Sequence, residues 1–260
     1  MANIKQSYKK QISNTFNYRA TWAPSRPMTV GQIGKLQDGV FMPYTTLQDL
    51  GIPVQVNTKE SEDTLDYSSS GGVSVNFKVA GDAVPAGATS LTQADAGIVI
   101  KFSRENALVF NIKGFTTIQL TNLAEVEEKI LQLKEQGKWK KDYILICEVV
   151  KADSASIVIS KSKNATLEIS ATADIAINDL KLSNSEANLA VVNKRDIGVN
   201  ILAEQEITPL YKAMKVKNRF FRSDELILVK GLEEDKELLT TLDSYDESEF
   251  SEEEELVVSG

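Results

Sequence analysis

The chain has 260 residues, 42% hydrophobic and 25% charged, enough to bury one large core or two small ones. It holds no histidine and one cysteine, Cys147, which removes intrachain disulfides, Ser-His and Cys-His nucleophile pairs and zinc sites of the Cys/His kind. The net charge of −8 is unevenly placed: residues 233–260 carry twelve acids against Lys236, or −11, while the rest carries 28 basic and 25 acidic residues, or +3.

The first residues are basic, with Lys5, Lys9 and Lys10, and no apolar run of the length of a signal-peptide core follows, so no secretory signal is expected. Residues 18–27 contain Trp22, Pro24 and Pro27 and read as an irregular segment pinned to the body. Over 34–41, Asp38 and Gly39 supply the positive φ angles of a tight turn and predict a hairpin. Residues 46–51 read as one helical turn, with Thr45 or Thr46 as N-cap and Gly51 closing it. The polar stretch 58–72 reads as a loop. Val73, Val75, Phe77 and Val79 then alternate with Ser74, Asn76 and Lys78, the period of a strand. A long connection over 80–96 leads to a second alternating strand at Ile98, Ile100 and Phe102. After a turn at 104–107, a third follows at Leu108, Phe110 and Ile112.

One long helix is expected from Asn122, with Glu125 completing a capping box, Val126, Ile130 and Leu133 forming a narrow apolar stripe, and Gly137 ending it. Residues 143–150 are apolar on both faces and predict the central, buried strand. Next come a strand at 156–160, a turn at 161–164, and an alternating run over 165–178 that is expected to pair back onto 156–160. Leu180 and Leu182 fall in the opposite frame, predicting a bulge or corner near 178–179. Further strands are read at 189–192, 197–202 and 223–229, with 208–221 packing on the body as a segment. Leu232, Leu238, Leu239 and Leu242 suggest a short helix, and the acidic residues beyond 241 are not expected to order on their own. The fold class is therefore α+β: a mainly antiparallel, twisted sheet with one long helix, short helices and an acidic C-terminal tail. The expected organisation is a single β-rich body over residues 1–222 and a C-terminal segment over 223–260.

Little in the chain points to catalysis. The spacing of Gly31 and Gly34 is too short for a dinucleotide fingerprint, no phosphate loop is present, and the acids outside the tail form no metal-binding loop. A non-enzymatic protein without cofactor or metal is expected. Basic groups at Lys5, Lys9 and Lys10 and at Lys161 and Lys163 are either solvated surface or contacts to anionic lipid, worth about 1 kcal/mol per residue near such a surface. No aromatic residues interleave with them as base stacking requires, so no nucleic-acid partner is expected. No stretch approaches the roughly 18 apolar residues of a spanning helix.

The alternating segments fit two settings: a soluble sheet with one wet face, or membrane strands of roughly 9 to 11 residues in a closed barrel. The candidates for membrane hairpins are Val73, Val75, Phe77, Val79, Ile98, Ile100 and Phe102 in one region. In the other they are Ile157, Ile159, Leu167, Ile169, Ala171, Ala173, Ile175 and Ile177.

The order of elements resembles the pore-forming domain of gasdermins, including the compact bacterial ones. The layout carries the resemblance: a basic N-terminal segment, two amphipathic hairpin regions separated by a helix, and the apolar strand 143–150 after that helix, over about residues 1–220. The N-terminal cysteine of lipid-modified bacterial members is missing. The resemblance implies an autoinhibited cytoplasmic monomer of bacterial defence. A protease would release it near its C-terminus, and it would then move to the inner face of the membrane and form a homo-oligomeric pore. Lys5, Lys9, Lys10, Lys161 and Lys163 are then the lipid-contact candidates, and Leu232, Leu238, Leu239 and Leu242 belong to the inhibitory segment. An acidic tail on a basic body would screen lipid contacts until removed. The alternative is a soluble, non-enzymatic binding or structural module whose acidic tail recruits a partner.

Overall fold

A computed structural model describes residues 4–22, 24–25, 28–172, 174–217 and 224–229. Ala173, the leucines at 232, 238, 239 and 242, and the acidic tail lie outside the described residues. The elements in chain order are α1 (Ile4–Phe16), β1 (Arg19–Ala20), β2 (Gln32–Gln37), β3 (Val40–Thr46), β4 (Val56–Ser68), β5 (Val73–Lys78), β6 (Ala96–Phe102) and β7 (Leu108–Leu120). They continue with α2 (Leu123–Glu135), β8 (Ile144–Ser160), β9 (Thr166–Ala171), a 3-10 turn (Ser185–Ala187), β10 (Ala190–Arg195), β11 (Ile197–Lys217) and β12 (Glu225–Leu228). The fold is α+β, and every strand pairing is antiparallel.

Two sheets divide the strands. The larger runs β1-β11-β8-β2-β3, with β12 beside β11 and β4-β7 beside β8; the smaller runs β10-β9-β6-β5. As the apolar run 143–150 predicts, β8 is central: it pairs with β7 and β2 on one side and β11 on the other. It does not stop at Lys151, however, but continues through Ser160 as one strand of 17 residues. Breaks in the β8–β11 register at four places let both strands bend without separating.

Three further differences from the sequence reading have physical causes. Among the described residues there are two helices of 13 residues where the sequence predicts one long one, because α1 forms over the basic N-terminal segment. Its apolar residues Ile4, Tyr8, Ile12 and Phe16 recur every four residues, and Tyr8 and Ile12 pack on Phe110 and Ile157 of the large sheet. Residues 56–68 are the edge strand β4, not a loop. Its side chains face solvent almost throughout, so no apolar alternation marks it, and its charged residues suit an unpaired edge. Residues 208–217 are the second half of β11. At α2 the box is incomplete: Asn122 accepts from the Gln55 N–H and donates to the Glu125 carboxylate, without capping the helix backbone.

The Asp38-Gly39 hairpin forms as expected, with φ of 49° and 68°. Val126 and Ile130 of α2 bury against Leu120, Leu145 and Trp139. Val109 and Val158, which alternate with Phe110 and Ile157, face the other way and carry the smaller sheet. Helix α1 and the small sheet therefore cover opposite faces of the β7–β8 pair.

Candidate functional site

The two sheets are made by two long hairpins, each bent once. The first rises through β4 and β5, turns over 79–95, and returns through β6 and β7; β5 pairs with β6, and β4 with β7. The second rises through β8 and β9, turns over 172–189, and returns through β10 and β11. The hairpins lie side by side, β7 against β8 in the large sheet and β6 against β9 in the small one. One four-stranded ribbon thus runs through a corner, proximal half in the large sheet and distal half in the small.

Each of the four crossings at the corner holds a residue in the left-handed region: Gly71 (φ 63°), Asn106 (φ 57°), Asn164 (φ 65°) and Asp196 (φ 56°). Glycine, asparagine and aspartate tolerate that conformation best, so these residues re-aim the chain without ending the pairing. Side chains then tie the crossings together. Ser160 Oγ accepts from Ala107 N at 2.9 Å and donates to Arg104 O at 2.8 Å; Ser69 Oγ accepts from Leu108 N at 2.9 Å. Gln11 of α1 braces the corner, donating to Asn106 O at 2.9 Å and accepting from Tyr67 Oη at 3.2 Å and from Ser69 Oγ.

The corner corrects two expectations. Residues 165–178 do not pair back onto 156–160: Ile157 sits opposite Phe110 and Ile201, and Leu167 opposite Ile100 and Lys194. The 161–164 turn, whose lysines and Asn164 read in the sequence as a reversal, passes the chain from one sheet to the other. The strand also ends at Ala171, because its partner β6 begins at Ala96, opposite that residue. Beyond it, Thr172 N donates to Ala187 O and Leu180 N to Ala176 O, so the chain turns. Leu180 and Leu182 tuck under the small sheet, with no strand bulge there.

The register gives the distal sheet two unlike faces. Val73, Val75 and Phe77 lie opposite Phe102, Ile100 and Ile98, and Ile100 and Ile98 lie opposite Leu167 and Ile169. Ala171 and Val191 extend this apolar face. Ile98, Ile100, Phe102, Leu167 and Ile169 are fully buried on Val109, Val158, Leu180 and Leu182, whereas Phe77 is 45% and Ile177 49% exposed. Val79 and Ile175 are half-buried just past the strands. The opposite face carries Ser74, Asn76, Lys78, Lys101, Thr166, Glu168 and Ser170, with the fully buried Val99 between Asn76 and Glu168. Ile157 and Ile159 belong instead to the proximal sheet, where they face α1.

A bacterial gasdermin is similar in structure. That protein, from Bradyrhizobium tropiciagri, is 12% identical, with a TM-score of 0.35 over 85% of this chain and 90% of its own. No protein-family model and no curated protein matches the chain.

The polar face of the distal sheet is covered by its own first turn. Glu168, 1% exposed, accepts from Thr89 N and Oγ1 at 2.9 Å, Ser90 N at 2.8 Å, Leu91 N at 3.3 Å and Asn193 Nδ2 at 2.9 Å. Burial alone would raise its carboxyl, but the bonds from Ser90, Thr89 and Asn193 outweigh it and hold the group down at about 2. Lys78, 1% exposed, donates to the carbonyls of Val79, Gln93 and Asp95, and Lys101 donates to Ala86 O. Sequence reading missed these anchors because a lone acid or lysine on the polar side of an alternating strand looks like solvated surface.

The lysine candidates fall into two places. Lys9 is buried, its Nζ donating to Gly39 O and Asp38 O, so it clamps the β2–β3 turn onto α1; Lys5 is half-buried and Lys10 exposed. Lys161 and Lys163 are exposed at the corner, where Lys163, Lys101 and Arg195 line an open groove of about 850 Å³ with one acid, Asp196. In the proximal sheet, Glu148 takes Lys212 Nζ at 3.1 Å and the Tyr18 hydroxyl, with that ammonium 4.4 Å from the Tyr18 ring centre. Cys147 is buried, which pushes its thiol up to about 12, with Glu148 adding to the shift. Among the described residues, no group of three His, Cys, Asp or Glu could hold a metal ion, and no helix is long and apolar enough to cross a membrane.

Proposed function

We propose that the protein is a non-enzymatic, autoinhibited pore-forming effector that inserts its two β-hairpins into a membrane after its C-terminal segment is released. The observation that carries this reading is the bent ribbon: two adjacent hairpins whose distal halves present an apolar face across β5, β6 and β9, with Val191 and Lys194 at its β10 edge, and a mainly polar face. Straightening the four left-handed crossings would turn distal and proximal halves into one longer four-stranded sheet. The apolar face, now buried on Val109, Val158, Leu180 and Leu182, would then meet lipid. Such a sheet needs its edges closed, and among the described residues no strand pairs the outer sides of β4, β5 or β10. Neighbouring copies would supply those partners in a homo-oligomer.

In this reading the tail, −11 on a body of +3, and the leucines at 232, 238, 239 and 242 form the inhibitory segment. Lys5, Lys10, Lys161 and Lys163 approach anionic headgroups, and Lys9 joins them only if the β2–β3 turn leaves α1. The test uses the full chain with an engineered protease site after Val229, which keeps β12 on β11. Cutting in the presence of dye-loaded phosphatidylcholine–phosphatidylserine vesicles should release dye, while the uncut chain should not. Intact vesicles in both cases, with the cut chain still folded, would sink the pore reading and favour the partner-binding module.

A further inference from the structure

The arms of the first distal hairpin are short, six residues in β5 and seven in β6, against the roughly 9 to 11 that a membrane-crossing strand needs. At their distal end the arms can lengthen only by drawing on the turn between them. With Lys78 opposite Gly97, continuing the ladder would set 80 against 95 and 82 against 93. Those groups are already engaged: Lys78 Nζ takes the carbonyls of Gln93 and Asp95, and the Val79 N–H donates to the Asp82 carboxylate. The rest of the turn lies across the polar face, held by Glu168 at Thr89, Ser90 and Leu91 and by Lys101 at Ala86, with Leu91 buried over Gly97. Glu168 and Asn193 belong to the second hairpin, so the turn of one hairpin is fastened to the strands of the other. A longer arm and a fastened turn therefore exclude each other.

We propose that residues 79–95 are a latch: while Glu168, Lys78 and Lys101 hold them across the polar face, the first hairpin is kept short, and their release sets the rate at which the hairpins insert. This rests on the pore reading above and adds a regulatory step within the hairpins, separate from the C-terminal segment.

Thr89 Oγ1 and Asn193 Nδ2 are 2.8 Å apart, which places the two side chains for cross-linking. The full chain with the protease site after Val229 and the substitutions Thr89→Cys and Asn193→Cys is prepared in two forms. One has its thiols bridged by dibromobimane; the other has them capped singly by iodoacetamide, and intact mass verifies each. Cys147 is buried and is expected to take neither reagent while the protein is folded, which intact mass checks. After cutting, the capped form should release dye from phosphatidylcholine–phosphatidylserine vesicles and the bridged form should be slower by about tenfold or more. Equal rates would overturn the latch. Glu168→Gln in the parent chain should shorten the lag before release, and an unchanged or longer lag would also overturn it. If the cut parent releases no dye, the pore reading itself falls, a result distinct from equal rates in the bridged and capped forms.

Discussion

Replacing Glu168 by glutamine keeps the side chain's shape and removes its charge, so it isolates what the carboxylate does for the turn over 79–95. The native group accepts five hydrogen bonds from Thr89, Ser90, Leu91 and Asn193. Glutamine leaves one acceptor oxygen and turns an amide N–H₂ toward N–H donors. Two routes give the magnitude. Removing a charged acceptor from buried donors costs about 1.5 to 3 kcal/mol. Holding a carboxyl at about 2, where 4.5 is ordinary, corresponds to about 3 kcal/mol of preference for the ionised form. The expected cost is about 2 to 3 kcal/mol, felt as local opening, which makes the open turn about 30 to 150 times more populated. Hydrogen exchange reads this directly: the amides of Thr89, Ser90 and Leu91 should lose protection by that factor, while those of β8 keep theirs. Unchanged protection at these three amides would refute the reasoning.

The same group sets an acid limit. Because its folded pKa lies below the ordinary value, its contribution is complete above about 4.5 and is lost as pH falls through about 2. Protection of residues 89–91 should therefore persist unchanged from pH 7 down to about 5 and disappear only in strong acid, and the Glu168→Gln protein should lack that titration. Gln11→Ala removes the brace between α1 and the corner and should cost about 1 to 3 kcal/mol in urea unfolding, with faster exchange at Leu108 N; a loss confined to α1 would contradict the bracing role. Gly97→Ala would set a Cβ 2.3 Å from Ile169 O, forcing β6 away from β9; a loss of about 3 kcal/mol or failure to fold is expected, and wild-type stability would refute the close approach. Cys147 should stay unreactive to a disulfide reagent at pH 8 until denaturant is added.

Where the sequence was legible, one physical rule governed each element. Asp38-Gly39 sits in a turn that needs two positive φ angles, β5 alternates because one of its faces is packed, and residues 143–150 are apolar because both faces of β8 are covered, Leu145 and Cys147 packing in one cluster and Ile144 and Ile146 in another. Strand β4 was hidden because only Leu65 and Tyr67, near its end, pack on the body, too few to set an alternation. Helix α1 carries a stripe only one residue wide per turn, easily read as a basic segment. The corner was hidden for a subtler reason: Gly71, Asn106, Asn164 and Asp196 carry the same chemistry whether the chain reverses or merely changes direction. Local residue preference fixes the φ angle, but only tertiary pairing decides which strand lies alongside. The apolar residues Val73, Val75, Phe77, Ile98, Ile100 and Phe102 of the first hairpin therefore share one face, whereas Ile157 and Ile159, which the sequence groups with Leu167 and Ile169 in one hairpin, lie below the corner.

The central claim is that the distal sheet keeps its two faces and exchanges a protein cover for lipid. Single cysteines carrying an environment-sensitive fluorophore at positions 73 to 77, placed in the full chain and cut after Val229 on phosphatidylcholine–phosphatidylserine vesicles, test it with a lipid-borne quencher and an aqueous one. The lipid-borne quencher should reach labels at Val73, Val75 and Phe77, and the aqueous quencher those at Ser74 and Asn76, in strict alternation. Labels that all remain open to the aqueous quencher, or that show no alternation, would contradict it.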